Sequence, residues 1–161
     1  MPNKIYRAIE TPITFKDSGG SAVITLQNLG TGIARVSARY DRGAGDLPRR
    51  YQWRAVFQWT TTPTVNQYAD IYLAESDGTY ADGTVGTADA NIVVGQLYNL
   101  FKLGYNRVAA SSAATNMIVS GNCLINDRYF SVIVYNLSSV NFQNTANVSW
   151  VSFTPVPDEL Q

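Results

Sequence analysis

Asp70 and Glu75 are the residues whose types and spacing come nearest to catalysis. Two carboxylates flanking a glycosidic bond can hydrolyse it, one as acid and the other as base or nucleophile. Both fall in the run Tyr68-Ala-Asp-Ile-Tyr-Leu-Ala-Glu75, which alternates as a strand does. An odd separation on a regular strand sends them to opposite faces, which argues against a shared substrate. They also open an acidic stretch of Asp70, Glu75, Asp77, Asp82 and Asp89 with no base between them. Carboxylates on a loop are calcium ligands by chemistry. The spacing is not that of an EF-hand, however, and Asp77-Gly78 and Asp82-Gly83 read equally as turns. No metal is expected.

Composition removes most other chemistry. The chain has no histidine, so histidine-based nucleophile systems and histidine-ligated zinc are absent. One cysteine, Cys123, makes neither an internal disulfide nor a thiolate metal cage. In its apolar setting it reads as a core residue. No GxxxxGK[ST] loop and no GxSxG elbow occur. Gly30-Thr-Gly32 lacks the third glycine of a dinucleotide fingerprint. The expectation is a non-enzymatic chain without cofactor.

Three Trp, ten Tyr and six Phe leave binding as the open chemistry. Aromatic side chains either stack on sugar rings or fill a core. Tyr68, Tyr72 and Tyr80 are the candidates for glycan stacking. Trp53, Phe57, Trp59 and Trp150 are expected to fill the space between two sheets.

The elements that position these residues are strands. At 50–59, Tyr51, Trp53, Ala55, Phe57 and Trp59 alternate with Arg50, Gln52, Arg54 and Gln58, with Val56 as the exception. That is a half-buried strand with an aromatic face. Similar patterns predict strands over 21–28, 33–40, 68–75, 115–120, 122–126 and 146–154. Residues 128–137 are apolar on both faces and predict a central strand. Turns are expected at Gly19-Gly20, Gly43-Ala-Gly45, Asp77-Gly78, Asp82-Gly83 and Gly121-Asn122. A short helix is expected over 96–102, where Leu97, Leu100 and Phe101 have helical spacing. About eight strands with one long irregular crossing over 76–95 predict an all-β, two-sheet antiparallel β-sandwich. A jelly roll is the first choice and an immunoglobulin-like sandwich the second.

The 161 residues fit one domain, long enough to remove roughly 70% of its unfolded surface from water. The organisation reads as an apolar N-terminal arm or edge strand over 1–17, a sandwich over 18–154 and an exposed tail over 155–161. Ile5, Tyr6 and Ile9 make the arm too apolar for a free tail. No leader and no membrane-spanning run are expected.

Charged residues are only 15% and the net charge is zero. No global field favours nucleic acid or an anionic membrane. A weakly charged surface suits burial in an assembly, although Ser, Thr, Asn and Gln can also solvate it. Charge is unevenly spread along the chain. Residues 1–54 hold nine bases and four acids, and the remainder hold three bases and eight acids. Folding either separates these halves onto different faces or interleaves them.

At Tyr51-Gln-Trp-Arg-Ala-Val-Phe-Gln-Trp59, Ile71-Tyr-Leu-Ala-Glu-Ser-Asp-Gly78 and Arg128-Tyr-Phe-Ser-Val-Ile-Val-Tyr135, the chain resembles small β-sandwich decoration, or cement, proteins of tailed-bacteriophage heads. The likeness runs from about residue 20 onward. It implies a homotrimer that binds the major capsid protein from outside and clamps neighbouring capsomers. It places the protein on the virion surface after synthesis in the host cytoplasm. In that role the arm around Ile5, Tyr6 and Ile9 would reach a neighbouring subunit or the lattice. Arg49, Arg50 and Arg54 would contact an acidic capsid surface, or would simply be a solvated strand edge. The alternative is a phage tail, baseplate or carbohydrate-binding module that recognises host glycans.

Overall fold

The computed structural model describes residues 11–45, 48–108 and 117–156. Ile5, Tyr6, Ile9 and the segment 157–161 lie outside the described residues. Eleven strands run in chain order: β1 (Ile13–Lys16), β2 (Ala22–Val23), β3 (Ala34–Val36), β4 (Tyr40–Asp41), β5 (Arg50–Phe57), β6 (Tyr68–Ser76), β7 (Ala90–Ile92), β8 (Phe101–Arg107), β9 (Met117–Leu124), β10 (Tyr129–Asn136) and β11 (Trp150–Pro155). They form two sheets. Sheet I has the order β2-β1-β11-β5-β9, and sheet II has the order β7-β3-β10-β6-β8 with β4 also on β10.

The fold is the expected β-sandwich. With the short strands β2, β4 and β7 set aside, the rest number one to eight along the chain. Their order is then 1-8-3-6 in sheet I and 2-7-4-5 in sheet II. That is the wind of two Greek keys in a jelly roll. Strand β10 lies inside sheet II between β3 and β6, as its two apolar faces require.

The core lies between the sheets. Phe15, Phe130 and Phe153 meet edge to face with centroids 5.3–5.9 Å apart, and Phe57, Trp59 and Phe142 form a second group at 5.1–6.5 Å. All six are buried. Trp53 lies between two glycines. A Cβ on Gly121 would stand 2.8 Å from its Nε1, and one on Gly104 3.1 Å from its ring. Gly121 sits inside β9 directly opposite Trp53. The turn expected at Gly121-Asn122 is therefore absent, and the two predicted strands at 115–120 and 122–126 are one strand. Here glycine supplies room for an indole rather than a bend.

Other boundaries differ from the sequence expectation for local reasons. Of the arm or edge strand expected over 1–17, residues 13–16 form a strand: β1 pairs with β11 on one side and with the two-residue β2 on the other. The strand predicted over 21–28 shrinks to Ala22–Val23, because Asp17 Oδ1 accepts the amides of Leu26 and Gln27 at 2.8 and 2.7 Å. Ile24 and Leu26 are buried all the same. The strand over 33–40 breaks at Ser37, whose hydroxyl accepts the Val132 amide at 3.0 Å. The helix over 96–102 is a short 3-10 segment, Val94–Asn99, after which Phe101 opens β8.

The long crossing between β6 and β8 is not loose. It lays Val85 and Leu97 on Ala34, Val36, Ala74 and Ile133, a second apolar cluster on the outer face of sheet II. Asp89 fastens this crossing. It accepts from the Thr25 amide (3.1 Å) and hydroxyl (2.5 Å) and from Arg35 Nε (2.7 Å) and Nη2 (2.6 Å). Burial alone would raise the Asp89 pKa. The bonds from Arg35 and Thr25 outweigh it and hold the carboxyl below its ordinary range. Arg35 comes from the basic stretch and Asp89 from the acidic one, and Asp41 likewise meets Arg128 at 2.7 Å. Folding thus interleaves part of the charge asymmetry.

A depressed carboxyl stabilises the fold above its unfolded value of about 3.9 and loses that contribution as pH falls through the folded value. Asp89→Asn should cost about 2 kcal/mol at pH 7, the scale of charge-assisted bonds. The gap to wild type should close below about pH 3.9. Urea unfolding of both proteins from pH 7 to pH 2 measures this, and a gap that ignores pH refutes the assignment.

Candidate binding surfaces

Three surfaces gather residues that the sequence singled out. The first is the outer face of sheet I. Strand register stacks its outward side chains in rows: Trp150, Val56 and Ile118; then Ser152, Arg54 and Ser120; then Thr154, Gln52 and Asn122. The exceptional Val56 is explained by its row. It points outward with the arginines yet stays buried beneath Trp150 and Ile118, its cross-strand partners.

Trp150 was expected in the core and is not there. Val151 and Phe153 point inward, so strand alternation turns Trp150 outward, where it is half-buried. It lines a groove of about 510 Å³. Strand β11 forms the floor with Trp150, Ser152 and Thr154. Thr14 and Lys16 of β1 form one wall, and Gln52 and Arg54 of β5 form the other. No carboxylate lines the groove. The parity of β11 carried this signal, and size alone had argued for the core.

The second surface is a cleft of about 600 Å³ where β8 and β9 close one edge of the sandwich. Arg50, Phe101, Cys123, Leu124 and Glu75 line it. Phe101 is 60% exposed and Leu124 57%, whereas Ile118, also exposed, lies at the far end of β9 beside Val56. The structure therefore separates two arginines named together from sequence: Arg50 belongs to this cleft and Arg54 to the groove. Arg49 is exposed beside them and lines neither. Glu75 points to this end and accepts the amides of Asn126 and Asp127 at 2.6 and 2.8 Å.

Cys123 in this cleft is 8% exposed. Burial, then the charge of Glu75, pushes its thiol up to about 12. The reactive thiolate is thus scarce near neutral pH. Iodoacetamide at pH 8 should leave folded Cys123 intact and label it promptly in denaturant. Mass spectrometry reads both states, and equal labelling rates would contradict this placement.

The third surface is the uncovered part of sheet II. Tyr68 and Tyr72 stand on β6 with Asp70 between them. Lys102 of β8 reaches Asp70 Oδ2 at 2.7 Å, and its ammonium lies 5.7–5.9 Å from the ring centroids of Tyr68, Tyr72 and Tyr105. Tyr72 donates its hydroxyl to the same oxygen at 3.1 Å. Burial, followed by the Asp70 charge, pushes the Tyr72 phenol up to about 12, so it remains a donor. A register shift between Ile71 and Tyr72 is what brings Lys102 onto the face of Tyr105. Spacing alone places those two on opposite faces. Lys102 and Tyr72 satisfy Asp70 Oδ2 and the rings flank the cation, whereas the buried Asp70 Oδ1 has no hydrogen-bond partner among the described residues. Tyr80, the third candidate stacker, is 79% exposed on the crossing and does not join the other two.

Asp70 and Glu75 lie on opposite faces of sheet II, as their spacing predicts, and cannot flank one glycosidic bond. The remaining acids of that stretch are engaged separately. Asp77 accepts the amides of Thr79 and Tyr80, and Asp82 accepts that of Glu75. No three potential metal ligands converge among the described residues.

No protein-family profile matches this chain, and no curated protein matches it in sequence. The functional reading rests on the surfaces themselves and on the likeness of the quoted segments.

Proposed function

We propose that this chain is a non-enzymatic structural protein of a phage virion, which binds the outside of the capsid as a homotrimer and stabilises contacts between capsomers. The apolar edge carries the reading. Isolated apolar side chains are ordinary on a surface, but a cluster on adjoining elements marks an interaction site. Phe101 and Leu124 form such a patch across one cleft, on the outer strands of the two sheets. Strand β9 has no partner on its far side among the described residues, and an open strand edge of this kind is normally covered or blunted. Arg50 stands across from Leu124 and adds a cation suited to bidentate pairing with an acidic surface.

The mechanism is linkage. A protein that binds the assembled shell and not its separated parts stabilises the shell by mass action. Three linked copies add avidity. The major capsid protein and further copies of this chain are the partners. Neither nucleic acid nor membrane enters, given the neutral net charge.

Light scattering after size exclusion should give three times the chain mass, and the protein should co-sediment with mature heads of the phage that encodes it. Leu124→Asp should shift the mass to that of a monomer and abolish co-sedimentation. A wild-type monomer at high concentration, or a Leu124→Asp trimer that still binds heads, overturns the proposal.

A further inference from the structure

Apart from Arg54, which the capsid likeness also names as a contact, the groove on the outer face of sheet I has no role in the capsid reading. Its walls belong to β1 and β5, the two neighbours of β11, so they stand about 10 Å apart at ordinary strand spacing. A helix with its side chains is about 10–12 Å across and does not fit. An extended peptide gains most of its affinity from a free strand edge. Strand β11 lies inside the sheet, hydrogen-bonded on both sides, and offers none. The occupant must be narrow and must be read by side chains.

Those side chains specify its chemistry. Trp150 presents an indole that packs against no other aromatic ring among the described residues. The hydroxyls of Ser152 and Thr154 and the amide of Gln52 both donate and accept, as a polyhydroxylated ligand requires. Lys16 and Arg54 stand on opposite walls, offset by one row, since Thr14 is the residue level with Arg54 across Ser152. Neither takes part in the ion pairs of the described residues, and no acid lines the groove with them; the adjacent Asp17 is engaged by the amides of Leu26, Gln27 and Asn147.

We infer that this groove binds an anionic saccharide chain. Trp150 packs on a sugar face, Lys16 and Arg54 pair with its carboxylate or sulfate groups, and the hydroxyl and amide rows bind its ring hydroxyls. The inference is independent of the capsid reading and holds whichever part of a virion carries the protein. It also relocates glycan recognition from Tyr68, Tyr72 and Tyr80 to the opposite sheet.

Isothermal titration with a heparin hexasaccharide and with an oligogalacturonate tests it. Maltohexaose serves as the neutral control and linear polyphosphate as the non-sugar anion. At least one acidic saccharide should bind and shift tryptophan emission, since Trp53 and Trp59 are buried and Trp150 is the ring that a ligand can reach. Arg54→Gln and Trp150→Ala should each weaken binding by about tenfold or more, the scale of one charge-assisted bond. Arg50→Gln removes the same charge from the same strand outside the groove and should leave affinity unchanged. Circular dichroism establishes that each variant is folded. The inference fails if neither acidic saccharide binds, or if maltohexaose binds as well as they do. It fails equally if polyphosphate matches them with no dependence on Trp150, or if Arg50→Gln weakens binding as much as Arg54→Gln.

Discussion

Phe153→Ala is expected to destabilise the fold by about 3–5 kcal/mol, the range for deleting a large buried ring. Phe153 has no exposed surface and sits where the two sheets are stitched together. Its ring meets Phe15 of β1 at 5.9 Å, Phe130 of β10 at 5.3 Å and Tyr51 of β5 at 6.5 Å, all edge to face. Alanine would forfeit transfer free energy and three aromatic contacts, each worth about 0.5–1.5 kcal/mol beyond area. It would also leave a hole that four strands would have to move to close. For a domain of this length each kcal/mol lowers the melting midpoint by about 2–4 °C. The midpoint should therefore fall by roughly 6–20 °C. A thermal melt that moves by less than about 3 °C would mean that the two sheets settle freely onto one another, and the stitched core would be the wrong description.

Gly121→Val should be nearly as damaging for the opposite reason. Valine needs a Cβ where the Trp53 indole already lies, 2.8–3.0 Å away. The indole cannot retreat, because its far edge is stopped by Gly104. Overpacking of this kind costs about 1–3 kcal/mol, and the upper end applies because both the ring and the β5–β9 pairing would have to yield. Trp53 emission should shift towards the red as the ring is driven towards water. Gly86→Ala is the matching control. Nothing lies within 4 Å of a Cβ at that position, so stability should stay within about 0.5 kcal/mol. If Gly121→Val proves as mild as the control, the indole is not confined between the glycines.

Much of the sandwich is readable from alternation. The segment from Tyr51 to Trp59 announces its inward face, and the run after Arg128 announces a strand covered on both sides. The rest depends on partners distant in sequence. Val56 breaks the pattern until Trp150 and Ile118 are seen beside it. Gly121 reads as a turn because local rules do not know that an indole from β5 needs its space. Lys102 reaches the tyrosine patch only through a register slip in the β6–β8 pairing, which no single-strand pattern encodes. The groove is half legible: Arg54 stands out on the polar face of its strand, whereas size alone points Trp150 inward. Strand parity around Phe153 is the stronger constraint, since an inward Phe153 and an inward Trp150 are incompatible on one regular strand.

The pairing of β1 with β11 also governs how the molecule responds to tension. Ile13 lies opposite Phe153, and Phe15 opposite Val151. The first and last strands thus run in opposite directions side by side, and the chain enters and leaves the sandwich at the same pole. Force applied between residues 11 and 156 would open that ladder like a zipper, breaking its hydrogen bonds one after another instead of all at once. Tension between the central strands, for example from the β5–β6 connection to the β9–β10 connection, meets interlocked pairs on both sides. The jelly roll is therefore mechanically weak along the line joining its ends and strong across its body. A tether anchored through both ends would be a poor choice for holding a load, and an attachment through the sheet faces and edges would be a good one.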